Sequence, residues 1–515
     1  MIYLDKKEAE KILFTKFNFR KFEDNQWNTI GKLLNGERVL FIEKRNYDKS
    51  ICYKYASIIL NGITIVFTPF ISTIEKQLQK IKTKTVQANY IYSKQTIEER
   101  NHILQEVKQG LWKLLYISPE SIHDNELFES ILSLSISLVV VEESHCISIW
   151  GHDFRRDFKK KVINFVVQLP KELPVLAITS TVTKRVEKDL FRLLEKSKDQ
   201  TNIGFTKKSI IKGDLLHENF KLFVIKVNSE DEKMIWIAQN IDKFPGTGLL
   251  YTGCQLKSDK YTKWFKFLGI SCFNKNNCFE TEQSEVNVDY LIEDNLKCIV
   301  SADEKDIPIE AIDFPFIFHV HVPLSLLHYY QDISRAGKND DTAYIILFYN
   351  ENCDNDKSMT LINECFPPIS IYENMIEILK SNPLSEVEII QHLNIDRKQF
   401  LKIKEELCEK GIIKENFIDQ NSKYEFIIDS QPLNFKKIDE LREYKIAELN
   451  KMIDYANAES SRTQLLHEYL NTNTIKTNFK NCDNTSEKKL IFNLKDGYND
   501  IFKKFLELYP NNSLY

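Results

Sequence analysis

No one sign of charge dominates this chain of 515 residues: 70 Lys and Arg stand against 74 Asp and Glu, a net charge of −4. Bulk electrostatics therefore gives no argument for a nucleic-acid partner, which would need a local basic surface. The ten cysteines, from Cys52 to Cys482, include no CxxC pair. That fits the reduced thiols of a cytosolic protein better than a disulfide framework or an intact zinc cluster. No stretch of about 18 uncharged apolar residues occurs, and MIYLDKKEAEKILFTKF lacks the apolar run of a signal peptide. These absences predict a cytoplasmic chain with no membrane partner. No internal repeat is visible either.

The chain does contain ample core material, 43% hydrophobic residues with 33 Phe and 22 Tyr, beside 28% charged residues. Global disorder is excluded on that composition, and roughly 150 residues per domain predicts about three or four domains. From Arg38 to about Leu194, short apolar runs alternate with amphipathic stretches, the pattern of a doubly wound parallel α/β sheet. The runs are Val39 to Ile42, Thr64 to Phe67, Leu114 to Ile117, Leu138 to Val141 and Val175 to Thr179. The intervening stretches include Ser72 to Ile81 and Ile97 to Val107. A second alternation starts near Phe220, passes through Gly248 to Thr252 and Lys297 to Ser301, and ends at Tyr344 to Tyr349. The polar run NENCDNDKS from Asn350 then reads as a linker.

Residues 371 to 415 read as three helices with turns at Asn382-Pro383 and Asn394-Ile395, the spacing of a winged helix. The last helix carries Arg397, Lys398, Lys402, Lys404 and Lys410. Those cations suit a phosphate backbone, although a charge run is more often simply a solvated face. Leu433 to about Tyr469 predicts a long helical pair. The tail after Asn471 gives no clear assignment. The expected division is 1–212, 213–350, 351–430 and 431–515: two α/β lobes, a linker with a winged-helix-like domain, and a helical region.

The most specific chemistry lies in EESHCISIWGHDFRRDF, which follows the apolar strand SLVVV. Carboxylates at the C-terminal end of a parallel strand stand where α/β folds place a metal-nucleotide site. The string closely resembles motif II and the aromatic-rich loop of RecQ-family superfamily 2 DNA helicases. The resemblance runs from about Phe17 to Tyr349 in the family's order. FNFRKFEDNQW resembles motif 0, ITIVFTPFISTIEKQ motif Ia, LLYISPESI the next DNA-contacting motif, LAITSTVT motif III and YYQDISRAGKNDD motif VI. It implies two RecA-like lobes, ATP with Mg²⁺ as cofactor, and single-stranded or forked DNA as partner. By the same resemblance Gln26 would read adenine, while Lys49 and Ser50 would hold phosphate and magnesium. Glu142 would stand in the Mg²⁺ shell, and Glu143 would orient the attacking water. Thr68 and Ser72 would lie near a DNA backbone, Trp150, Phe154 and Arg155 would contact DNA or couple it to ATP, and Arg335 and Lys338 would hold the two arginine positions of motif VI.

Several positions depart from that pattern. The phosphate loop, Lys44 to Ser50, has lost every glycine, and Asp48 brings a negative charge and a Cβ where backbone amides should curl around phosphate. An ordinary strand-to-helix turn with a Lys-Ser start would read the same. Glu142 replaces an Asp, and Mg²⁺ tolerates little change in ligand geometry. Asp306 and Pro308 replace the two glycines of motif V. Lys338 replaces the second arginine, and a lysine cannot form a bidentate fork. Ser461, Phe479 and Thr485 stand at three of four zinc-ligand positions, leaving Cys482 alone, so no zinc is expected. These losses fall on hydrolysis more than on DNA contact. They predict a DNA-binding, ATPase-impaired scaffold or sensor that recognises DNA or a protein partner in repair, recombination or defence. An active 3′-to-5′ helicase with an atypical phosphate loop is the alternative.

Overall fold

In a computed structural model, the structure describes residues 5–45, 47–69, 86–118, 121–122, 125–148, 156–196, 208–274, 296–302, 313–337, 341–418, 421–427, 435–470, 481–485 and 498–509. Strands β1 (Arg38–Ile42), β2 (Ile63–Phe67), β3 (Ala88–Ile91), β4 (Leu114–Ile117), β5 (Ile136–Val141), β6 (Val175–Thr179) and β7 (Lys208–Lys212) form one parallel sheet in the order β3-β4-β2-β5-β6-β1-β7. All residues of β1, β2, β4 and β6 are buried. Continuous apolar runs, not alternating ones, are what a parallel sheet covered by helices on both faces demands.

A second parallel sheet holds β8 (Phe220–Lys226), β9 (Gly248–Tyr251), β10 (Cys272–Asn274), β11 (Cys298–Ser301), β12 (Phe316–His319) and β13 (Ala343–Tyr349), in the order β10-β11-β9-β12-β13-β8. One buried apolar cluster runs from Leu40 in the first sheet through Leu215 to Tyr349 in the second, and on to Leu470. The lobes therefore share a core.

The polar run after Asn350 is a helix, Glu351–Cys365, and not a linker. The Asn350 side chain caps it by accepting from the Asn352 N–H at 3.1 Å, the usual role of Asn at a helix start. Its buried positions are Asp354, Ser358 and Ile362, spaced at four residues. Asp354 accepts from the fully buried ammonium of Lys233 at 2.9 Å and from the Asn350 N–H at 2.8 Å, tying the helix to the second lobe.

Helices Ile369–Ser381, Glu386–Leu393 and Arg397–Glu409 pack with a three-stranded antiparallel sheet of β14 (Leu384–Ser385), β15 (Ile413–Ile418) and β16 (Asn421–Phe426) around Met375, Ile389, Phe400 and Tyr424. Ser385 and Asp396 each open a helix with a capping box. This is the winged-helix-like unit expected. The helical pair follows as Phe435–Asn457 and Arg462–Leu470.

Residues 481–485 then return to the free edge of β8, where Leu222 and Cys482 form a parallel bridge. In the tail, helix Tyr498–Leu508 seats Phe502 and Phe505 edge-on against Trp264, with ring centroids 5.0 Å away in each case. The architecture is thus two parallel-sheet lobes, a small antiparallel winged unit and a helical C-terminal region.

Candidate functional site

The Lys44–Ser50 loop, expected to hold phosphate, joins β1 to helix Ser50–Ile59. It opens on Glu43, a carboxylate only 3% exposed that accepts from Asn25 Nδ2 at 3.0 Å and from the Lys44 N–H at 3.2 Å. Burial pushes the Glu43 carboxyl pKa up, against the Asn25 hydrogen bond. A Cβ on Gly213 would overlap that carboxylate, so any other residue there would displace the Glu43 side chain. Nothing in the run VLFIE distinguished Glu43 from a solvated loop acid. The structure makes it the floor of the loop.

Lys49 donates to the carbonyls of Glu43 (3.1 Å) and Lys44 (2.6 Å). Burial lowers its pKa to about 8, opposed by the nearby carboxylates of Glu143 and Glu43. Asp48 Oδ1 accepts from the Ser50 N–H (3.1 Å), the Ser50 hydroxyl (2.7 Å) and the Ile51 N–H (3.3 Å). Gln26 is buried in helix Asp24–Leu34; its amide nitrogen donates to the Asp48 carbonyl at 3.1 Å and its oxygen accepts from the Glu23 N–H at 3.0 Å. The structure therefore gathers Gln26, Lys49 and Ser50 around one loop.

The acidic pair stands directly after β5. Glu142 Oε1 accepts from the Tyr53 hydroxyl at 2.9 Å, and that hydroxyl lies 3.1 Å from the Tyr116 hydroxyl. Burial first, and then Glu142, pushes the Tyr53 pKa far upward, so the phenol stays protonated as a donor. Tyr53 and Tyr116 look like plain core aromatics in the sequence, and only packing reveals the contact.

Glu143 adopts a left-handed backbone conformation, φ 43° and ψ 46°. That conformation is uncommon for a residue with a Cβ, and such strain concentrates at functional positions. Its carboxylate lies 3.4 Å from His145 Nδ1, which is itself 3.1 Å from the Thr179 hydroxyl. Thr179 donates to the Thr181 carbonyl at 2.9 Å, and the Thr181 hydroxyl accepts from Gln331 Nε2 of the second lobe at 3.2 Å. A polar chain thus runs from the strand-end acid of one lobe to helix Leu326–Ile333 of the other. Tyr330 of that helix also donates to the Leu215 carbonyl. Gln331 lies within YYQDISRAGK, where the sequence carries no sign of its contact with the first lobe.

Arg335 is 3% exposed, just beyond that helix. Thr68 is buried at the end of β2, its N–H bonded to the Ile117 carbonyl at 3.3 Å. Lys402 pairs with Glu406 at 3.1 Å. Its neighbours Arg397, Lys398 and Lys404 likewise meet Glu386, Glu364 and Glu415 at 2.7 to 3.0 Å. The cations of this helix are partly neutralised within the chain. Ser72, Trp150, Phe154, Arg155, Asp306, Pro308, Lys338 and Phe479 lie outside the described residues.

Around the expected zinc remnant, Cys482 Sγ is 3.1 Å from the Thr485 hydroxyl and 3.9 Å from the Ser461 hydroxyl. Beside it Arg462 Nε donates to Asp483 at 2.7 Å and its Nη1 to the Tyr455 carbonyl. Among the described residues no group of three or more His, Cys, Asp or Glu is arranged to hold a metal.

A cleft of about 490 Å³ opens between Lys44 and the connector residues Asp214, Leu216, His217, Glu218 and Asn219. Its lining includes none of Gln26, Lys49, Ser50, Glu142 or Glu143, so it flanks the loop and is not the cradle itself. As arranged, a carboxylate holds the helix N-terminus and the lysine is turned onto carbonyls, so a triphosphate would have to displace both. A strand-end acid, a strand-to-helix loop with Lys-Ser and two parallel-sheet lobes joined by a polar relay define a superfamily 2 helicase-like fold, the general fold of ATP-binding helicases.

Residues 23–190 match the family model for DEAD/DEAH box helicases. The chain is 27% identical over 354 residues to the ATP-dependent DNA helicase RecQ of Haemophilus influenzae, covering 67% of this chain and 54% of that protein. It is 25% identical to the RecQ-like DNA helicase BLM of Xenopus laevis over 74% of this chain and 29% of that one. The match thus spans about half, or less, of the length of these curated relatives. The crystal structure of the DUF1998 helicase MrfA bound to DNA superposes with a TM-score of 0.52 at 13% identity, covering 82% of this chain and 59% of that one. No helix of the described residues is long and apolar enough to cross a membrane.

Proposed function

We propose that this chain is a degenerate RecQ-like protein that binds single-stranded or forked DNA, hydrolyses ATP weakly or not at all, and serves as a cytoplasmic scaffold or sensor in DNA repair, recombination or defence. The observation that carries the proposal is the phosphate loop, where Asp48 stands against the start of helix Ser50–Ile59 in place of an open, glycine-rich cradle. The similarity to RecQ helicases over about two thirds of the chain supports DNA as the partner. On this reading residues 1–212 and 213–350 are the helicase lobes, 351–430 a connector with the winged unit, and 431–515 a helical region that packs without zinc. ATP and Mg²⁺ bind weakly. Glu142, Glu143, Arg335 and Lys338 are the remains of the hydrolytic set, and Trp150, Phe154, Arg155, Ser72 and Lys402 contact DNA or couple it to ATP, whereas the buried Thr68 would act only through its neighbours.

Fluorescence anisotropy with labelled single-stranded and forked DNA across a salt series, paired with ATP turnover on the same preparation, tests it. The expected result is binding that weakens steeply with salt, because phosphate contacts release counterions, with no DNA-stimulated turnover above background. Turnover at an ordinary helicase rate would overturn it.

The succession of polar contacts Glu143–His145–Thr179–Thr181–Gln331 favours a second reading, a working helicase whose lobes still communicate. In that case DNA-stimulated hydrolysis appears and is abolished by Lys49→Ala.

A further inference from the structure

Asp48 does something its charge alone does not imply. Its Oδ1 collects the Ser50 N–H at 3.1 Å, the Ile51 N–H at 3.3 Å and the Ser50 hydroxyl at 2.7 Å. These are donors that a strand-to-helix turn of this kind would offer to a phosphate oxygen, and the positive end of the helix dipole favours either anion. The same residue's carbonyl takes the Gln26 amide at 3.1 Å, the group expected to meet adenine. The Lys49 ammonium, expected to meet phosphate, is bonded to the carbonyls of Glu43 and Lys44 at 3.1 and 2.6 Å. Three nucleotide-facing groups are thus engaged within one loop, two of them by Asp48.

We propose that Asp48 is an internal plug: its carboxylate occupies the phosphate cradle as a tethered anion and, with its carbonyl, keeps the loop in a self-bonded, autoinhibited state. A tethered ligand competes at a high effective concentration, so a free nucleotide must displace it before making any contact of its own. The proposal rests on the loop being the nucleotide site of the function proposed above. It adds that the Ser50 and Ile51 N–H donors remain in place behind Asp48, so that removing this one side chain restores part of the affinity lost with the glycines.

The test is titration of the full-length chain, with Mg²⁺, by a fluorescent N-methylanthraniloyl derivative of ATP, comparing wild type with Asp48→Gly and Asp48→Asn. Asp48→Gly removes the anion, and glycine is tolerated at helix starts. Asp48→Asn keeps a side-chain cap without charge, so it answers the question if the glycine variant fails to fold. The expected result is at least roughly tenfold tighter binding by Asp48→Gly, a change of about one decade in Kd, with Asp48→Asn intermediate. Folded variants that bind no more tightly than wild type would overturn the plug while leaving the ATPase-impaired reading intact. A wild-type chain that turns over ATP at a helicase rate with DNA would overturn both.

Discussion

Lys49 shows how much a single side chain depends on its neighbours. In sequence it is a phosphate-loop lysine; in the structure it is an ammonium held among carbonyls, with its pKa lowered to about 8 chiefly by burial. A lysine with a folded pKa below its unfolded value binds fewer protons when folded, so stability rises with pH between about 8 and the ordinary lysine value. Lys49→Met should lack that increment. Thermal melts of both proteins from pH 7 to pH 10 should show wild type gaining on the variant as pH rises. A constant gap across the range would mean that Lys49 is not held as described. The presence of Lys49, Ser50, Gln26 and the Glu142–Glu143 pair was legible from motif order. Their partners were not: Tyr53, Tyr116 and Glu43 reach the site from positions that periodicity assigns to the core or to a loop, and only the packed fold brings them together.

At the scale of elements, the buried strands of the first lobe were legible because a parallel sheet covered on both faces leaves continuous apolar runs; in the second lobe β12, buried throughout, was not among the expected runs because it is only four residues long and ends on His319. The expected bounds for β4 and β6 are those observed, and β1 and β2 differ by one residue. The edge strands β3 and β7 escaped notice because they are only partly buried and their side chains are mixed. Helix Glu351–Cys365 was misread because two of its three inward positions, Asp354 and Ser358, are polar: its stripe is held by hydrogen bonds and an ion pair, which hydrophobic patterning does not detect. The C-terminal region supplies a prediction at this scale. Arg462, 4% exposed, has its charge matched by Asp483, and Asp483 also accepts from the Val224 N–H at 2.9 Å. Asp483→Ala leaves a buried guanidinium without its carboxylate and should cost on the order of 3 kcal/mol in chemical denaturation. A strong zinc chelator should leave the melting of wild type unchanged, since one thiol with two hydroxyls is a poor structural zinc site.

For the whole molecule, the two sheets share one apolar cluster and a polar relay crosses between them at Thr181 and Gln331. Thr181→Val removes the hydroxyl that meets the buried Gln331 amide, and leaving such a donor unmet costs about 1–3 kcal/mol. If the lobes unfold as one cooperative unit, a single transition shifts to lower denaturant; if they are independent, the first lobe alone shifts. Fluorescence of a chain carrying Trp27→Phe, Trp112→Phe and Trp150→Phe, whose remaining Trp236 and Trp264 both lie in the second lobe, read beside circular dichroism, would separate the two outcomes.

The capped helix after Asn350 also has a mechanical consequence. Because Lys233 and Asp354 are buried together at its first turn, the winged unit is mounted on a strut anchored in the second lobe rather than hung from a tether. A protease that cuts exposed polar segments should spare residues 351–365, however much the bare string NENCDNDKS resembles its substrate.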